Sequence, residues 1–312
     1  MECIRGLYNV RPRHWGAVAT IGNFDGFHRG HRRLIASLRE RASAFRAPTL
    51  VMLFEPQPQE YFRGDEPRPR LMRLSEKLRA LRYAQVDTVL VLRFNARLAG
   101  LSASAFIEDI LVKTLRVQAL VIGDDFRFGA GRAGDFAMLK EAGGRLGFSV
   151  DPTPTFTEAG HRVSSTRLRL ALSEGALEEA QRLTGTPYRY RGRVVHGDAR
   201  GRLLGFPTAN LLMREPAPLM GVFAVQVEWP DGRIGRGIAN VGRRPTVGGK
   251  QVLLEVHVLD FTGDLYGQLL SVSFLTRLRA EQKFSSLEAL QRQIAADRAS
   301  ALAFFAHYEV AS

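Results

Sequence analysis

Residues 17–34 read AVATIGNFDGFHRGHRRL, and this stretch decides the fold of the first half of the chain. Its apolar start, residues 17–22, is typical of a buried strand, and residues 31–46 have the pattern of a helix. A turn that contains glycine joins the two. A helix that starts near His28 presents free backbone N–H groups and a partial positive charge, so the sequence predicts an anion site here.

The two histidines of this stretch, His28 and His31, are three residues apart. That spacing puts them on one face of the helix, where both can donate hydrogen bonds to one phosphate. Gly26 and Gly30 allow a backbone to approach a ligand closely. Two alternatives stay open: a zinc site, for which the sequence offers no obvious further ligand, and a solvated basic helix start. The strand-turn-helix setting favours phosphate.

The composition limits the class of protein. The 312 residues suffice for two domains, and arginine supplies 39 of the 44 basic residues behind the net charge of +13. The charge is spread along the chain, with 28 basic and 20 acidic residues up to residue 185 and 16 and 11 after it. Such a spread favours anionic partners. A nucleic-acid-binding protein, which is one rival, would need a localised basic patch with interleaved aromatic residues.

The single cysteine, Cys3, excludes an internal disulfide and a cysteine-based zinc cage. No run of about 18 apolar residues occurs, and residues 1–14 lack the apolar core of a signal peptide. We therefore expect a cytoplasmic protein with small-molecule partners, no membrane and no nucleic acid. We expect it to be a monomer or a weak homo-oligomer.

The order of the predicted elements in residues 1–185 favours an α/β domain. Short apolar strands alternate with helices, which is typical of a parallel sheet covered by helices. The predicted strands are 17–22, 49–54, 88–93 and 119–123, and the predicted helices are 31–46, 74–83 and 103–115.

Residues 186–312 have a different pattern, so the predicted fold class is α/β plus β. Runs of alternating hydrophobicity lie between Gly, Pro and Asp turns, which favours an antiparallel barrel or sandwich. A helix follows, with Ser285 and Glu288 at the spacing of a capping box. The runs are 188–195, 222–229, 252–259 and 269–274, and the apolar stripe of the helix is Leu287, Leu290 and Ile294.

Two further blocks of the first half carry polar side chains. Residues 123–129 read GDDFRFG and residues 162–169 read RVSSTRLR. Hydroxyls at a helix start are ordinary caps, but the arginines of the second block make an anion clamp plausible. The glycines of residues 129–134 fit GxGxxG with Asp151 as the ribose acid, but polar residues separate them from the strand, which argues against a dinucleotide site.

A glycine-rich stretch opens the second half. Residues 197–210 read GDARGRLLGFPTAN, and no Walker A sequence occurs in the chain. Glycine-rich loops with arginine can bind phosphate through backbone N–H groups. Thr208 and Asn210 offer neutral oxygens that suit Mg²⁺. The alternative for this stretch is a simple turn into a strand.

The blocks at 22–31, 123–129 and 162–169, in this order, resemble the N-terminal module of the bacterial bifunctional riboflavin kinase/FMN adenylyltransferases (FAD synthetases). The HxGH sequence of residues 28–31 alone matches the wider nucleotidyltransferase superfamily. GRLLGFPTANL at 201–211 resembles the flavokinase PTAN motif, and later blocks extend the resemblance over essentially the whole chain.

The resemblance implies a Rossmann-like nucleotidyltransferase domain at 1–185 that adenylylates FMN to FAD. It implies a flavokinase β-barrel with a terminal helix at 186–312 that phosphorylates riboflavin to FMN. His28 and His31 would stabilise the transition state of adenylyl transfer, and Glu255 would be the general base of the kinase. ATP would be the co-substrate and Mg²⁺ the metal. The rival in the same superfamily adenylylates another substrate and uses the C-terminal half as a regulatory flavin-binding module.

The resemblance also implies binding residues for each reaction. In the first half, the ATP and phosphate residues would be Gly22, Phe24, Asp25, Gly30, Arg162, Ser165, Thr166 and Arg169, and the flavin residues Asp124, Asp125, Phe126, Arg127 and Phe128. In the second half, ATP would bind at Gly197, Gly201, Arg202, Thr208 and Asn210, the metal at Thr208 and Asn210, and the flavin at Arg279 and Glu281. Two positions depart from the family pattern: Asp125 stands where some relatives carry Asn, and Gln57 where many carry His.

Overall fold

The computed structural model describes residues 1–64, 68–197, 206–213, 216–246 and 249–308. The predicted site residues Gly201 and Arg202 lie outside these ranges. The chain divides into two compact units, Met1–Arg68 with Met72–Ser165, and Pro69–Leu71 with Thr166–Ser312. The predicted domain boundary between residues 185 and 186 stays a prediction.

The first unit contains a parallel sheet, as the sequence predicts, and this sheet has six strands. Its strands are β1 (Glu2–Arg5), β2 (Val18–Ile21), β3 (Thr49–Glu55), β4 (Thr88–Arg93), β5 (Ala119–Gly123) and β6 (Ser149–Thr153), in the order β1-β4-β3-β2-β5-β6. All neighbouring pairs are parallel. The two strands that the sequence does not predict, β1 and β6, are the sheet edges. Edge strands tolerate polar residues and proline, so they lack the apolar run that reveals a central strand.

Helices cover both faces of this sheet. Alternation along β2 sends Val18 toward Ile35 of the first helix, and Ala19 toward Leu111 and Leu139 on the opposite face. The helices are α1 (Arg29–Phe45), α2 (Pro58–Arg63), α3 (Leu74–Tyr83), α4 (Ala96–Ala99), α5 (Ala103–Ala105) and α6 (Phe136–Leu146), with a π-helical segment at Phe106–Thr114 and 3₁₀ turns at Leu7–Asn9, Pro12–His14 and Ala130–Arg132.

The position of β2 in the sheet decides where a ligand can bind. It lies between β3 and β5, so the chain first builds the sheet to one side of β2 and later returns to its other side. At such a reversal, the carboxyl ends of the strands leave a crevice that binds ligands in open α/β sheets. The segments that follow β2, β3 and β5 therefore share one edge of the sheet, and the histidine stretch is one of them.

Short elements connect the sheet to the second half of the chain. They are the strands β7 (Thr157–Glu158) and β8 (His161–Arg162), which pair with each other, and the helices α7 (Ser165–Glu174) and α8 (Leu177–Thr184).

The second unit is a closed antiparallel barrel, which decides between the two architectures that the sequence favours. Its strands are β9 (Tyr188–Val195), β10 (Ala209–Met213), β11 (Gly221–Glu228), β12 (Ile234–Thr246), β13 (Gly249–Val258) and β14 (Leu269–Arg279), and they close in the order β10-β13-β12-β11-β14-β9. The buried residues Leu211, Val225, Leu254, Val256 and Phe274 fill the interior. The sequence does not predict β10 and β12, because Asn210 in β10, and Asn240 and several glycines in β12, interrupt their apolar pattern.

The terminal helix α9 (Leu287–His307) is confirmed, but its cap is one residue later than predicted. Ser286, and not Ser285, is the N-cap, and its hydroxyl accepts a hydrogen bond from the Ala289 backbone N–H at 3.2 Å. The predicted stripe is also wrong at its start, since Leu287 is 57% exposed. The second half of the helix supplies its buried contacts, where Ala301 and Phe305 join a cluster with Ala224, Leu259 and Leu275.

Candidate active sites

The segment after β2 forms the first candidate site. His28 is the N-cap of α1, and its Nδ1 atom accepts a hydrogen bond from the backbone N–H of His31 at 3.3 Å. The two imidazole rings stack with their centroids 3.7 Å apart and an angle of 14° between planes. The Nδ1 atom of His31 is buried and has no hydrogen-bond partner in the described part of the chain. A buried polar atom without a partner is costly, so this nitrogen is suited to a ligand.

Burial lowers the pKa of His31 well below its ordinary value of 6.5, and the neighbouring His28 and Lys77 lower it further. His31 is therefore neutral at pH 7. A neutral imidazole can donate one hydrogen bond without bringing a charge into the protein interior.

The glycine between the histidines has a steric reason. A Cβ atom at Gly30 would lie 3.2 Å from the Nδ1 and Cε1 atoms of the His28 ring and 3.6 Å from the Val163 carbonyl oxygen. The turn before it is also constrained, because Phe24 and Phe27 both have positive φ angles, 47° and 35°. Such angles are unfavourable for aromatic residues, so surrounding contacts must hold the turn in place.

Asp25 provides those contacts. Its Oδ1 atom accepts a hydrogen bond from the Met72 backbone N–H at 3.0 Å and lies 3.7 Å from Nζ of Lys77. Its carbonyl oxygen accepts a hydrogen bond from the Ser165 hydroxyl at 2.8 Å. The predicted phosphate residues Phe24 and Asp25 have buried side chains. The turn therefore presents its backbone, including that of Gly22, rather than these side chains to the carboxyl edge of the sheet.

Sequence reasoning missed Lys77. The available signal was its position in α3, four residues before Leu81, which places both on one face of the helix. Both side chains are buried, Lys77 at 2% and Leu81 at 0% exposure. A lysine on an apolar helix face therefore marks a buried charge.

The three arginines of the block at 162–169 each contact a different partner. Arg162 forms an ion pair with Asp125 at 2.5 Å, and both side chains are about half exposed. Arg167 pairs with Glu179, and Arg169 donates from Nε to the Pro69 carbonyl oxygen at 2.7 Å. Ser165 starts α7 and reaches Asp25 as described above, whereas Thr166 is exposed.

The block at 123–129 places two carboxylates and two phenyl rings after β5. Asp124 and Asp125 are exposed, and the rings of Phe126 and Phe128 stack with centroids 5.6 Å apart. Arg127 lies 3.8 Å from a carboxylate oxygen of Asp135. The adjacent glycines form a tight turn and a 3₁₀ segment rather than the start of the next long helix, and Asp151 pairs with Arg41 at 2.7 Å. This geometry agrees with the argument against a dinucleotide site.

An aromatic cluster at the same edge of the sheet was also missed. Phe54 at the end of β3 and Phe94 just after β4 have ring centroids 5.8 Å apart. Tyr61 and Phe62 of α2 lie 5.3 and 5.7 Å from Phe94, and Phe62 is 67% exposed. Adjacent aromatic residues in a polar stretch were a signal, but the proximity of Phe94 required the strand order.

The second candidate site is a polar row on the outer surface of the barrel. Glu255 of β13 pairs directly with Asn210 of β10 on one side and with Asn240 of β12 on the other. Leu211 and Leu254, one residue along, point inward, so the polar row points outward. Asn210 is 5% exposed, and its Oδ1 atom is buried without a hydrogen-bond partner among the described residues.

The segment before β10 covers this row. The Pro207 carbonyl oxygen lies 2.9 Å from Nδ1 of His257, and the Phe206 ring packs edge-on against the His257 ring. A Cβ atom at Gly197 would lie 2.3 Å from Nδ2 of Asn210, so this backbone directly contacts the amide. Thr208 is half-buried between these contacts.

Residues at the end of β14 and just after it extend the same surface. Arg279 donates a hydrogen bond of 2.9 Å from Nε to Oδ1 of Asp297 on α9, and another of 2.9 Å from Nη2 to Oδ2 of the same carboxylate. Gln293 donates to the same carboxylate at 2.9 Å. A Cβ atom at Gly242 would lie 2.4 Å from Oε1 of Glu281, so Glu281 lies over the β12 backbone next to Asn240. Sequence reasoning missed Asp297, because an acidic residue on a surface helix has no distinguishing pattern.

Comparison with known proteins identifies the family. The FAD synthetase family model matches residues 10–167, and the riboflavin kinase family model matches residues 184–305. The bifunctional riboflavin kinase/FMN adenylyltransferase of Escherichia coli (strain K12) is 50% identical over 307 residues, which is 98% of each chain. The chain belongs to the bifunctional riboflavin kinase/FMN adenylyltransferase family.

A second relative has the same name, and a solved structure has a similar fold. The enzyme of the same name from Haemophilus influenzae is 47% identical over 306 residues, 98% of this chain and 99% of that one. A crystal structure named as a macrolide-efflux protein from Streptococcus pneumoniae has a TM-score of 0.83 at 30% identity and covers 99% of this chain and 100% of its own. In the part of this chain that the structure describes, no helix is long and apolar enough to cross a membrane.

Both activities of the bifunctional family belong to this chain. It phosphorylates riboflavin to FMN and converts FMN to FAD, with the kinase in the C-terminal part and the adenylyltransferase in the N-terminal part. Riboflavin, FMN and FAD are its substrates and products. The expectations of the sequence for fold, family and activity are therefore confirmed.

Proposed function

We propose that the two reactions use two separate sites and two molecules of ATP. Adenylyl transfer takes place at the carboxyl edge of the parallel sheet, in a domain of residues 1–185. Phosphorylation takes place on the outer surface of the barrel, in a domain of residues 186–312. Two observations carry the proposal. In one unit, His28 and His31 stack, and the Nδ1 atom of His31 has no hydrogen-bond partner among the residues that the structure describes. In the other unit, Asn210 and Glu255 are direct cross-strand neighbours.

In adenylyl transfer, a phosphate oxygen of FMN attacks the α-phosphorus of ATP, and the bond to the β-phosphate breaks to release pyrophosphate. His28 and His31 donate hydrogen bonds to the α-phosphate, which stabilises the charge that develops there. The backbone of the Gly22–His28 turn and the start of α1 supply further donors. Ser165, Thr166 and Arg169 hold the departing pyrophosphate, and Arg162 exchanges its pairing with Asp125 for a phosphate oxygen.

The flavin of this reaction binds beside the histidine turn at the same edge. Residues Asp124, Asp125, Phe126, Arg127 and Phe128 form one wall, as the resemblance implies. The exposed aromatic cluster of Tyr61, Phe62 and Phe94 adds a flat apolar surface of the kind on which a flavin ring stacks. Its exposure of 67% at Phe62 supports a role in binding, since a structural aromatic residue would be covered.

In the kinase reaction, Glu255 takes the proton from the 5′-hydroxyl of riboflavin as that oxygen attacks the γ-phosphorus of ATP. FMN and ADP are the products. Gly197, Gly201 and Arg202 bind the ATP phosphates together with Thr208 and Asn210, and positioning of the reactants supplies most of the rate. Arg279 and Glu281 contact the flavin. Arg279 ends β14 and pairs with Val222, which in turn pairs with Asn240 of the polar row.

The residues of the barrel site suit Mg²⁺. The Oδ1 atom of Asn210 is a buried oxygen without a partner among the described residues, and Thr208 adds a hydroxyl two residues earlier. Neutral oxygens that leave room for water and substrate phosphate are a typical magnesium environment. Mg²⁺ bound to these two oxygens would offset the negative charge of the ATP phosphates.

The location and partners complete the proposal. We place the protein in the cytoplasm, as a monomer or weak homo-oligomer whose partners are riboflavin, FMN and ATP rather than nucleic acid or a membrane. The single cysteine and the dispersed positive charge support this assignment.

One pair of variants tests the division of labour. His28→Ala/His31→Ala should stop FAD formation while FMN still accumulates from riboflavin and ATP. Glu255→Ala should block riboflavin phosphorylation and leave the conversion of supplied FMN to FAD intact. Chromatography of the flavins after incubation with Mg²⁺ separates the products. Loss of both products in a folded histidine variant would refute the two-site assignment.

A further inference from the structure

A buried ion pair lies behind the histidine turn and has no role in the reaction as described above. Lys77 and Asp25 are 2% and 1% exposed, and Nζ lies 3.7 Å from Oδ1. Removing such charges from water costs several kcal/mol per ion. An apolar residue of the same volume would avoid the cost, so stability alone does not explain Lys77.

Asp25 connects this pair to the turn that carries the histidines. It binds the Met72 backbone N–H through its carboxylate and the Ser165 hydroxyl through its carbonyl oxygen. The positive φ angles of Phe24 and Phe27 are strained for residues other than glycine, and they persist only where neighbouring contacts fix them. The charge of Lys77 is therefore placed where it holds the anchor of a strained turn.

Lys77 also acts on His31. It reaches the interior from α3, whereas His28 acts from the start of α1 and Asp25 faces Lys77 from the turn. Burial is the largest cause that lowers the pKa of His31, His28 is the second and Lys77 is the third. A neutral His31 has no charge to offer to a phosphate. The Lys77 side chain lies behind the turn instead, with Nζ 3.7 Å from Oδ1 of Asp25, and water screens charges weakly at this depth.

We propose that Lys77 is a positioning residue for adenylyl transfer: through Asp25 it fixes the turn that carries His28 and His31, and it keeps a positive charge behind them. The inference rests on the proposed role of the two histidines. Lys77 does not touch the substrate in this arrangement, so its loss affects the chemical step more than the binding of FMN. The kinase site in the barrel does not depend on it.

The test uses the full-length protein with Lys77→Met and the double variant Asp25→Asn/Lys77→Met. The single variant leaves a buried carboxylate without its lysine, and the double variant removes both charges, so it decides the question if the single variant does not fold. Lys113→Met is the matched control, because Lys113 is an exposed lysine paired with Asp109 on the same unit. Riboflavin phosphorylation in each sample confirms that the preparation is active.

We expect kcat of FAD formation to fall roughly tenfold or more in both variants, while KM for FMN changes less than about threefold. In Lys77→Met, histidine NMR should show His31 titrating at higher pH than in the wild type, since a cation is lost. Lys113→Met should leave all three values unchanged. A wild-type kcat in the folded double variant, or an unchanged His31 titration in folded Lys77→Met, would overturn the inference. The proposed function fails separately, if His28→Ala/His31→Ala still makes FAD.

Discussion

Asn210 and Glu255 are direct cross-strand neighbours on the outer surface of the barrel. Directly opposite residues in an antiparallel pair have Cβ atoms about 4.5–5.5 Å apart. The amide oxygen of Asn210 and the carboxylate of Glu255 can therefore reach the same phosphate and the same attacking hydroxyl. This relationship brings together the proposed metal ligand and the proposed general base, which are 45 positions apart in the chain.

The first prediction concerns the metal dependence of the kinase reaction. Asn210→Ala removes the buried oxygen that has no partner among the described residues, so we expect kcat of riboflavin phosphorylation to fall roughly a hundredfold and the Mg²⁺ concentration for half-maximal rate to rise. Leu212→Ala is the control, because Leu212 faces outward two residues along the same strand and is 43% exposed. Initial rates over a range of Mg²⁺ concentrations measure both effects. Equal behaviour of the two variants would contradict the metal role of Asn210.

The second prediction concerns the glycine between the histidines. In Gly30→Ala, the new Cβ would lie 3.2 Å from the His28 ring and displace it, so FAD formation should slow roughly tenfold or more. Alanine in a helix is more stable than glycine by about 0.5–1 kcal/mol, so we do not expect the loss of rate to be accompanied by a matching loss of folding stability. Gly144→Ala on α6 meets nothing within 4 Å and serves as the control. Steady-state kinetics and thermal unfolding together would show the loss of rate without unfolding, and a normal rate would exclude the steric argument.

The fold was largely predictable from periodicity, and the two failures have a physical cause. The central strands β3, β4 and β5 are buried on both faces, so their sequences are continuous apolar runs. The edge strands β1 and β6 lack that run. In the barrel, β10 is not predicted because its outward position holds Asn210, a polar residue that we propose as a metal ligand. A polar residue at an active site interrupts the same pattern that reveals a strand.

The candidate sites were predictable only where a motif is continuous. His28, Gly30 and His31 are close in sequence, and their geometry follows from one helix start. Lys77 and Asp297 come from other elements and have no local signature. Their identification needed tertiary contacts: the approach of α3 to Asp25, and that of α9 to Arg279.

The third prediction concerns the ion pair that holds Arg279. Asp297 is 6% exposed and accepts three hydrogen-bond contacts from the Arg279 guanidinium, so Asp297→Asn should weaken the hold of α9 on this arginine. Breaking a buried ion pair lowers the free energy of unfolding by about 3–5 kcal/mol. Because Arg279 is partly exposed, we expect a decrease at the lower end of this range. We expect KM for riboflavin to rise severalfold, with the conversion of FMN to FAD unchanged. Asp231→Asn, an exposed pair with Arg233, is the control. A wild-type KM would show that Arg279 does not position the flavin.

The last prediction is a dependence of stability on pH. The pKa of His31 is lowered below 6.5 in the folded protein, so between that lowered pKa and 6.5 the unfolded chain binds more protons than the folded one. Stability should therefore decrease as pH falls below 6.5, at up to about 1.4 kcal/mol per pH unit for this one group. His31→Gln removes the titrating group. As pH decreases, the free energy of unfolding of the wild type should therefore fall relative to that of the variant. Differential scanning calorimetry from pH 8 to pH 5 measures this, with the exposed His161→Gln as the control. If the wild type and His31→Gln differ by the same amount at every pH, His31 is not a buried neutral histidine.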